Sequence, residues 1–507
     1  MRKTPIWNSD AGLPKFRALD TDTQADVCVI GGGMAGMSVA YLLMQVGKTV
    51  VVIDDGEIGH GMTGVTTAHL TTMLDARYSE IERIHGQHYA RMAARSHQAA
   101  INRIERIVDD EGIDCGFERL TGYLFLAPGD DESILTDELD ALRRAGFREA
   151  ALIDRAPLHP FDTGRCIAIP AQAQFHPLRY LAALARAVRR DGGEIYTHTR
   201  ADTVEGGDAA RIQAGRNSIV ADAVVVATNA PINDLVAIHT KQAPYMTYVV
   251  AAPVEPGSVA PGLYWDTADD YHYVRLHRKR EREFLIVGGE DHKSGQADDT
   301  AERHGRLESW ARRRFPTMGP LEAAWAGQVM NSLDGLGFIG RNPLDKDNVY
   351  VVTGDSGTGM THGTIAGILL TDLILGRKNA WQKIYDPARK PVRAAGTFLK
   401  ETANMAAQFG DWLKPGEVPS ADQIERRSGA LLRDGRRMIA AYRDEKGRLH
   451  EMSAVCNHLG CIVHWNAAES TWDCPCHGSR YDHFGKVFNG PANRDLEPLA
   501  PSKMLAG

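Results

Sequence analysis

One glycine-rich turn limits what the front of this chain can fold into. Residues 26–30, DVCVI, read as a short apolar strand, and GGGMAG at 31–36 as a turn. MSVAYLLMQVG at 37–47 has helical spacing, and TVVVID at 49–54 is a second strand. Gly31, Gly33 and Gly36 stand in G-x-G-x-x-G register. The first allows a tight turn, the second lets the backbone approach a pyrophosphate, and the third lets helix pack on strand. The helix N-terminus offers free N–H groups and partial positive charge to phosphates. Asp54 ends the second strand, 18 residues after Gly36, where an acid binds a ribose hydroxyl. Glycine turns are common, so the motif alone would be weak. Strand, helix and acid in position turn it into the expectation of a bound dinucleotide. A start near the N-terminus, a long downstream chain and a second glycine-rich strand–helix junction at 353–363 favour FAD over NAD.

A chain of 507 residues predicts two to four domains, and 43% hydrophobic with 24% charged residues is a globular composition. The net charge of −7 gives no basic excess for nucleic acid or an anionic membrane surface. MRKTPIWNSDAGLPKF lacks the apolar stretch of a secretory signal. No run approaches the roughly 18 apolar residues of a transmembrane segment. The expectation is a cytoplasmic protein, with peripheral membrane contact left open.

Helical spacing runs across 80–110 and 178–190, strand-like runs across 122–127 and 165–169, and a buried strand across 219–231. From about 240 to 290 the chain is β-rich and aromatic, which suggests an inserted sheet domain. Residues 348–375 restore the strand, glycine turn and helix. A helical stretch at 386–410 and the linker DWLKPGEVPS (411–420) lead to a short all-β segment.

Of seven cysteines, Cys28, Cys115 and Cys166 are scattered and read as buried thiols. Cys456, Cys461, Cys474 and Cys476 are clustered. Cys456 and His458 form C-x-H, and fifteen residues later Cys474 and His477 form C-x-x-H. Two such pairs suit zinc or a Rieske [2Fe–2S] centre. A four-ligand zinc site leaves Cys461 and Cys476 without a part.

Over about residues 24–376 the chain resembles the D-amino-acid oxidase-like FAD-dependent oxidoreductases. The matching stretches are VCVIGGGMAGMSVAYLL, GMTGVTTAHL (61–70), VVVATNAP, Trp325-Ala326-Gly327, DGLGFIG (334–340) and GDSGTGMTHG (354–363). The resemblance implies Thr63, Thr66 and Thr67 near the isoalloxazine or pyrophosphate, ordinary turn chemistry being the other reading. It also implies backbone of Gly357, Gly359 and Met360 at the ring or ribityl chain, and of Val204 near the adenine. Many amino-acid-oxidising members carry an Arg two residues after W-A-G; here that position is Val329. Valine cannot pair with a carboxylate, which argues against a plain amino acid as substrate. Arg275, Arg341 and Lys293 are candidates to replace it, with surface charge the favoured reading of each. Tyr245, Tyr248, Tyr271, His272 and Tyr273 fall where such folds line a substrate pocket, packing or surface roles again being favoured.

CNHLGC…CPCHGSRYD resembles the high-potential Rieske domains of quinol-oxidising cytochrome complexes. That resemblance implies Cys456, His458, Cys474 and His477 as ligands and a Cys461–Cys476 disulfide. It implies a hydrogen bond from Ser479 to a bridging sulfide and from Tyr481 to Cys456, with a covering loop at Gly490-Pro491. Both hydrogen bonds raise the potential, toward the upper half of the range of about −150 to +300 mV for Rieske centres. His450, His464 and His483 read as loop histidines, Trp465 and Trp472 as packing.

The fold class expected is an α/β FAD-binding (Rossmann-type, glutathione-reductase-like) domain with an inserted β-rich substrate domain, plus a small all-β Rieske domain. The divisions are 24–110, 165–235 and 325–376 for the discontinuous FAD-binding domain, and 111–164 and 236–324 for the substrate or cap domain. A helical segment and linker (377–415) and the Rieske domain (416–507) follow. The whole resembles bacterial FAD-dependent oxidoreductases with a C-terminal Rieske domain. The function expected is a dehydrogenase. It oxidises a small amine or related C–H donor and passes electrons through the cluster to an external one-electron acceptor, protein or quinone. The alternatives are an O₂-using oxidase with a structural or regulatory cluster, and a redox-sensing partner-binding module. No catalytic residue follows from spacing.

Overall fold

The computed structural model describes residues 3–159, 161–233, 238–390 and 392–499. The glycine turn joins the strand Thr23–Ile30 to the helix Met34–Met44. Along that strand Val27 and Val29 enter one apolar core while Cys28 and Ile30 enter another. This is period-two alternation with both faces covered, as a parallel sheet requires. In strand order the sheet runs Phe338–Arg341, Val349–Thr353, Asn217–Val226, Thr23–Ile30, Val50–Ile53, Glu194–Tyr196. All neighbours are parallel except the first pair, and Thr203–Glu205 and Ala210–Ala214 form an antiparallel flap on Asn217–Val226.

The helices Met34–Met44 and Gly359–Ile374 lie side by side because small residues face each other. A Cβ on Gly363 would sit 2.9 Å from the Ala35 nitrogen, and one on Gly367 2.8 Å from the Ser38 oxygen. This brings both glycine-rich helix starts to one cleft. The helical reading of 80–110 is interrupted: Gly86, at φ +83°, separates Arg77–His85 from Gln87–Asp110.

A second sheet runs Ala323–Ser332, Gln242–Val254, Arg282–Lys293, Tyr273–Lys279, Leu263–Asp266, Glu118–Phe125, Cys166–Gln174, His69–Leu70, with Ala151–Ile153 on the flank of Cys166–Gln174. Its membership corrects the divisions expected at 165 and 325. Cys166–Gln174 pairs with Glu118–Phe125, and Ala323–Ser332 pairs along its length with Gln242–Val254. Both strands therefore belong to the substrate sheet, and the chain returns to the first domain only after Gln174 and after Ser332.

The C-terminal part stacks a three-stranded sheet (Ser428–Asp434, Arg437–Arg443, Leu449–Ser453) near a four-stranded one (His464–Asn466, Thr471–Asp473, Arg480–Asp482, Val487–Asn489). Trp465 and Trp472 pack on each other with ring centroids 5.0 Å apart, and Trp472 is fully buried. Among the described residues no helix is long and apolar enough to cross a membrane.

Candidate functional site

The glycine turn forms one end of a long cleft between the two large sheets. Gly31 holds φ +113°, and a Cβ there would lie 2.4 Å from the Ala227 oxygen. A Cβ on Gly36 would lie 1.8 Å from the Gly31 oxygen, so the helix can approach its own turn only with glycine. The Asp54 carboxylate accepts from the Gly32 nitrogen at 2.6 Å and the Gly56 nitrogen at 2.8 Å. His60 lies 3.2 Å from it. Burial would depress that imidazole, but the Asp54 hydrogen bond and the charges of Asp54 and Asp55 lift it to about 9.

Thr63 Oγ1 accepts from the Met34 nitrogen at 2.9 Å, Thr66 Oγ1 from the Ala68 nitrogen at 3.1 Å, and Thr67 Oγ1 meets His69 Nδ1 at 3.1 Å. The threonines thus shape the loop and line the cleft at once. Gly31, Gly33, Asp54, Gly357, Gly359 and Met360 line the same cleft, whereas Gly36 lies beneath the turn. Val204 is a correction. It lies on the edge flap, packed against the apolar cluster of Ile212 and Tyr196, and Thr199, Arg200 and Ala201 line the cleft in its place.

At the inner end stand Thr247, Trp265, Tyr271, Tyr273, Asp75, Asp291, Val329, Asn331 and Asp355. Tyr271 and Tyr273 line the cleft; Tyr245, Tyr248 and His272 do not. Tyr248 is buried with its hydroxyl 3.0 Å from His292 Nε2, and His272 stacks on Trp310 at 4.2 Å. Asp75 is open to the cleft, and desolvation by the walls around it pushes its carboxyl up to about 7. A Tyr271 hydrogen bond opposes this shift, and the charges of Asp291 and Asp355 add to it. Burial likewise raises Asp291 and Asp355 to about 7. Thr247 bonds Asp291 and meets the Tyr273 hydroxyl at 2.9 Å.

Arg275 is a second correction. It is 1% exposed, because it lies two residues beyond Tyr273 on the same inner strand face. Its Nη1 donates to the Ala68 oxygen at 2.7 Å, and its guanidinium also reaches the Phe175 oxygen at 3.3 Å. The Trp7 ring lies 5.2 Å from it, and burial pulls it down to about 9. Trp7 is itself wholly buried, donating from Nε1 to the Thr66 oxygen at 2.9 Å. Arg341 is exposed and pairs with Asp347, as expected of surface charge. Lys293 pairs at 2.5 Å with Glu401 on the helix Ala395–Gln408.

In the C-terminal part, Cys456 and His458 come from one loop and Cys474 and His477 from another. The His458 and His477 rings stand perpendicular, centroids 4.9 Å apart. A Cys461–Cys476 disulfide, Cα atoms 6.4 Å apart, ties the loops together. Tyr481 donates from its hydroxyl to Cys456 Sγ at 3.3 Å. Ser479 Oγ accepts from the Ala492 nitrogen at 2.9 Å, fixing the loop of the cis Gly490–Pro491 bond and leaving its own proton to donate. His450, His464 and His483 are engaged elsewhere, with Asp444, Asp411 and Tyr442 respectively. Cys28, Cys115 and Cys166 are buried thiols.

The two sites share a wall. Val487, Phe488, Asn489, Gly490, Ala492 and Asn493 line the same cleft as the glycine turn. Gln328, beside Val329, donates from Nε2 to the Gly478 oxygen at 2.9 Å and accepts from Asn489 Nδ2 at 2.5 Å. The buried His239 ring lies 4.8 Å from His458 and 5.6 Å from His477. Asn489 and His239 stand in no local motif, and Gln328, between Gly327 and Val329, finds its partners in another domain, so none of these contacts is visible in the sequence.

A family model described as FAD dependent oxidoreductase matches residues 26–373, and one described as Rieske [2Fe-2S] domain matches residues 414–500. YhfW of Bacillus subtilis, named as a Rieske 2Fe-2S iron-sulfur protein, is 32% identical over 502 residues, 97% of each chain. The gamma-glutamylputrescine oxidoreductase of Escherichia coli is 26% identical, covering 71% of this chain and 86% of its own. Among solved structures, glycine oxidase from Geobacillus kaustophilus superposes with a TM-score of 0.61 at 17% identity, covering 72% of this chain and 99% of that one. The chain belongs to the FAD dependent oxidoreductase family and carries a C-terminal Rieske domain; it is an enzyme that uses FAD and a [2Fe–2S] cluster. The residues present fit both groups. Backbone N–H groups and glycines that admit no Cβ front the dinucleotide end, and two thiols with two imidazoles converge in the other.

Proposed function

We propose that this member of the family is a dehydrogenase. A small amine or related C–H donor is oxidised at the inner end of the cleft, and its electrons leave one at a time through the Rieske cluster to an external acceptor. The observation that carries this reading is the shared wall: the loop at Gly490, which covers the cluster side, also lines the flavin cleft. FAD supplies two-electron acceptance with single-electron release, and the cluster carries single electrons. Gly31, Gly33 and the start of Met34–Met44 would hold the pyrophosphate and Asp54 a ribose hydroxyl, with Thr63, Thr66 and Thr67 shaping the loop beside the ring. Gly357, Gly359 and Met360 would present backbone to the ring system. Cys456, His458, Cys474 and His477 would bind the irons, and the hydroxyls of Ser479 and Tyr481 would stabilise charge on sulfur. Gln328 ties one domain to the other, and Val487 and Phe488 give the cleft an apolar wall on that side. The amine-oxidising class draws support from Val329 and from the name of the Escherichia coli relative.

The test is anaerobic stopped-flow mixing of the holoenzyme with secondary, tertiary and primary amines, followed at about 450 nm, with rapid-freeze EPR for the cluster. Flavin bleaching followed by the reduced-Rieske signal within one turnover supports the reading. A cluster that stays oxidised while the flavin turns over rejects it.

A further inference from the structure

The inner end of the cleft has a charge that the reaction class alone does not demand. Three carboxylates, Asp75, Asp291 and Asp355, line it. Among the described lining residues, the one Lys or Arg is Arg200, which stands at the Thr199–Ala201 end near Asp55 and Asp495. His69 is neutral, driven down to about 3 by burial and then by the Arg275 charge. Arg275 does not reach the cleft, its Nη1 and Nη2 groups donating to the backbone oxygens of Ala68 and Phe175. A substrate carboxylate placed here would meet no cation and three acids.

The acids differ in how they are satisfied. Asp355 lies in the turn before the helix Gly359–Ile374 and accepts from the Gly357 backbone. Asp75 holds the Tyr271 hydroxyl, and its Oδ2 fills the space where a side chain at 357 would begin, 2.1 Å from an ideal Cβ. Asp291 Oδ1 is covered yet has no hydrogen-bond partner. Such an oxygen is costly to bury unless a donor arrives. Trp265, Tyr271 and Tyr273 supply aromatic walls beside it, and aromatic faces attract organic cations.

We infer that this end of the cleft selects a cationic amine that carries no carboxylate, with Asp75 and Asp291 as its specificity-determining grips and the three aromatic rings as its walls. The inference rests on the function proposed above, and it narrows the donor to ammonium compounds. An ammonium group would relieve the mutual repulsion of the carboxylates and satisfy Asp291 Oδ1. A carboxylate-bearing amine would restore that repulsion.

The experiment compares 1,4-diaminobutane with 4-aminobutanoate, which differ by an ammonium group against a carboxylate. Each is titrated anaerobically into holoenzyme at pH 8, with calorimetry and flavin absorbance shifts reporting binding whether or not oxidation follows. The diamine should bind at least a hundredfold more tightly than the amino acid, and D75N and D291N should each weaken it at least tenfold. Unchanged flavin content and Rieske EPR signal would report that these variants are folded. V329R, which brings a guanidinium to the lining, should move the preference toward 4-aminobutanoate even if an Asp variant fails to fold. Equal or tighter binding of 4-aminobutanoate overturns the inference, as does undiminished diamine binding in D75N/D291N or absence of diamine binding at 10 mM (about the weakest this titration reads). The dehydrogenase reading fails separately, when dithionite-free photoreduction of the flavin leaves the cluster oxidised.

Discussion

The two ends of the cleft are built from different materials. At the glycine turn the wall is led by backbone, with N–H groups, carbonyls and glycines that have no space for a Cβ, and Asp54, His60 and Thr63 stand beside it. At the inner end the wall is side chain, with carboxylates, phenols and an indole drawn from five separated stretches of chain. A backbone wall accepts any ligand of the right shape and charge and tolerates no added carbon. A side-chain wall tolerates substitution and changes what it recognises. One end is suited to holding a cofactor shared by many enzymes, the other to choosing a substrate.

The largest expected effect breaks the backbone end. Gly36→Ala puts a carbon 1.8 Å from the Gly31 oxygen. Overpacking of this kind costs roughly 1–3 kcal/mol or more, and here it forces the turn apart. The purified variant should carry less than about a tenth of the flavin per chain, read from the 450 nm to 280 nm absorbance ratio; a full complement would refute the backbone account. Next, Gln328→Ala removes two contacts across the domain wall. Each such bond is worth about 1 kcal/mol, so cluster reduction should slow several-fold while flavin reduction holds its rate, both read in one stopped-flow trace.

Between pH 6 and 8 the side-chain end should titrate, whereas His60 at the glycine-turn end, lifted to about 9, keeps its charge. Desolvation by the cleft walls raises Asp75 and Asp291 to about 7, so both are largely protonated at pH 6 and ionised at pH 8. Ammonium binding should strengthen by about tenfold over that interval, reach a plateau, and weaken again near pH 10, where alkylammonium groups lose their proton. Binding that is flat from pH 6 to 8 would remove the acids from recognition. The same shifts bear on stability. A carboxyl raised on folding binds more protons folded than unfolded between about pH 4 and 7, so its contribution falls as pH rises through 7. Smallest is Tyr481→Phe, which deletes one hydrogen bond to Cys456. At ~1 kcal/mol, and 59 mV per tenfold for one electron, the cluster potential should drop by about 40 mV in voltammetry.

The legible parts of the molecule are those whose chemistry is local. Gly31 to Asp54 is one strand–helix–strand unit, and Cys456 to Tyr481 is two loops close in sequence, so spacing alone exposes them. Arg275 and Val204 lie away from where their sequence context puts them, for a common reason. Whether a residue faces a cleft depends on which strand lies beside its own, and Thr203–Glu205 pairs at the far edge while Tyr273–Lys279 lies central. The domain limits at 165 and 325 erred likewise, because strand partners such as Gly122 and Ile169 are far apart in sequence. Asp75 and Asp291 carry no motif, and only the folded sheet brings them to one pocket.

The placement of the Gly490 loop bears on how the enzyme is made. A chamber walled by residue 31 at one side and residue 490 at the other is incomplete until synthesis has passed residue 490. The Rieske domain, which follows the FAD-binding domain along the chain, is the one that closes it. A chain that stopped before residue 487 would lack this wall, and the cleft would be open to water on that side.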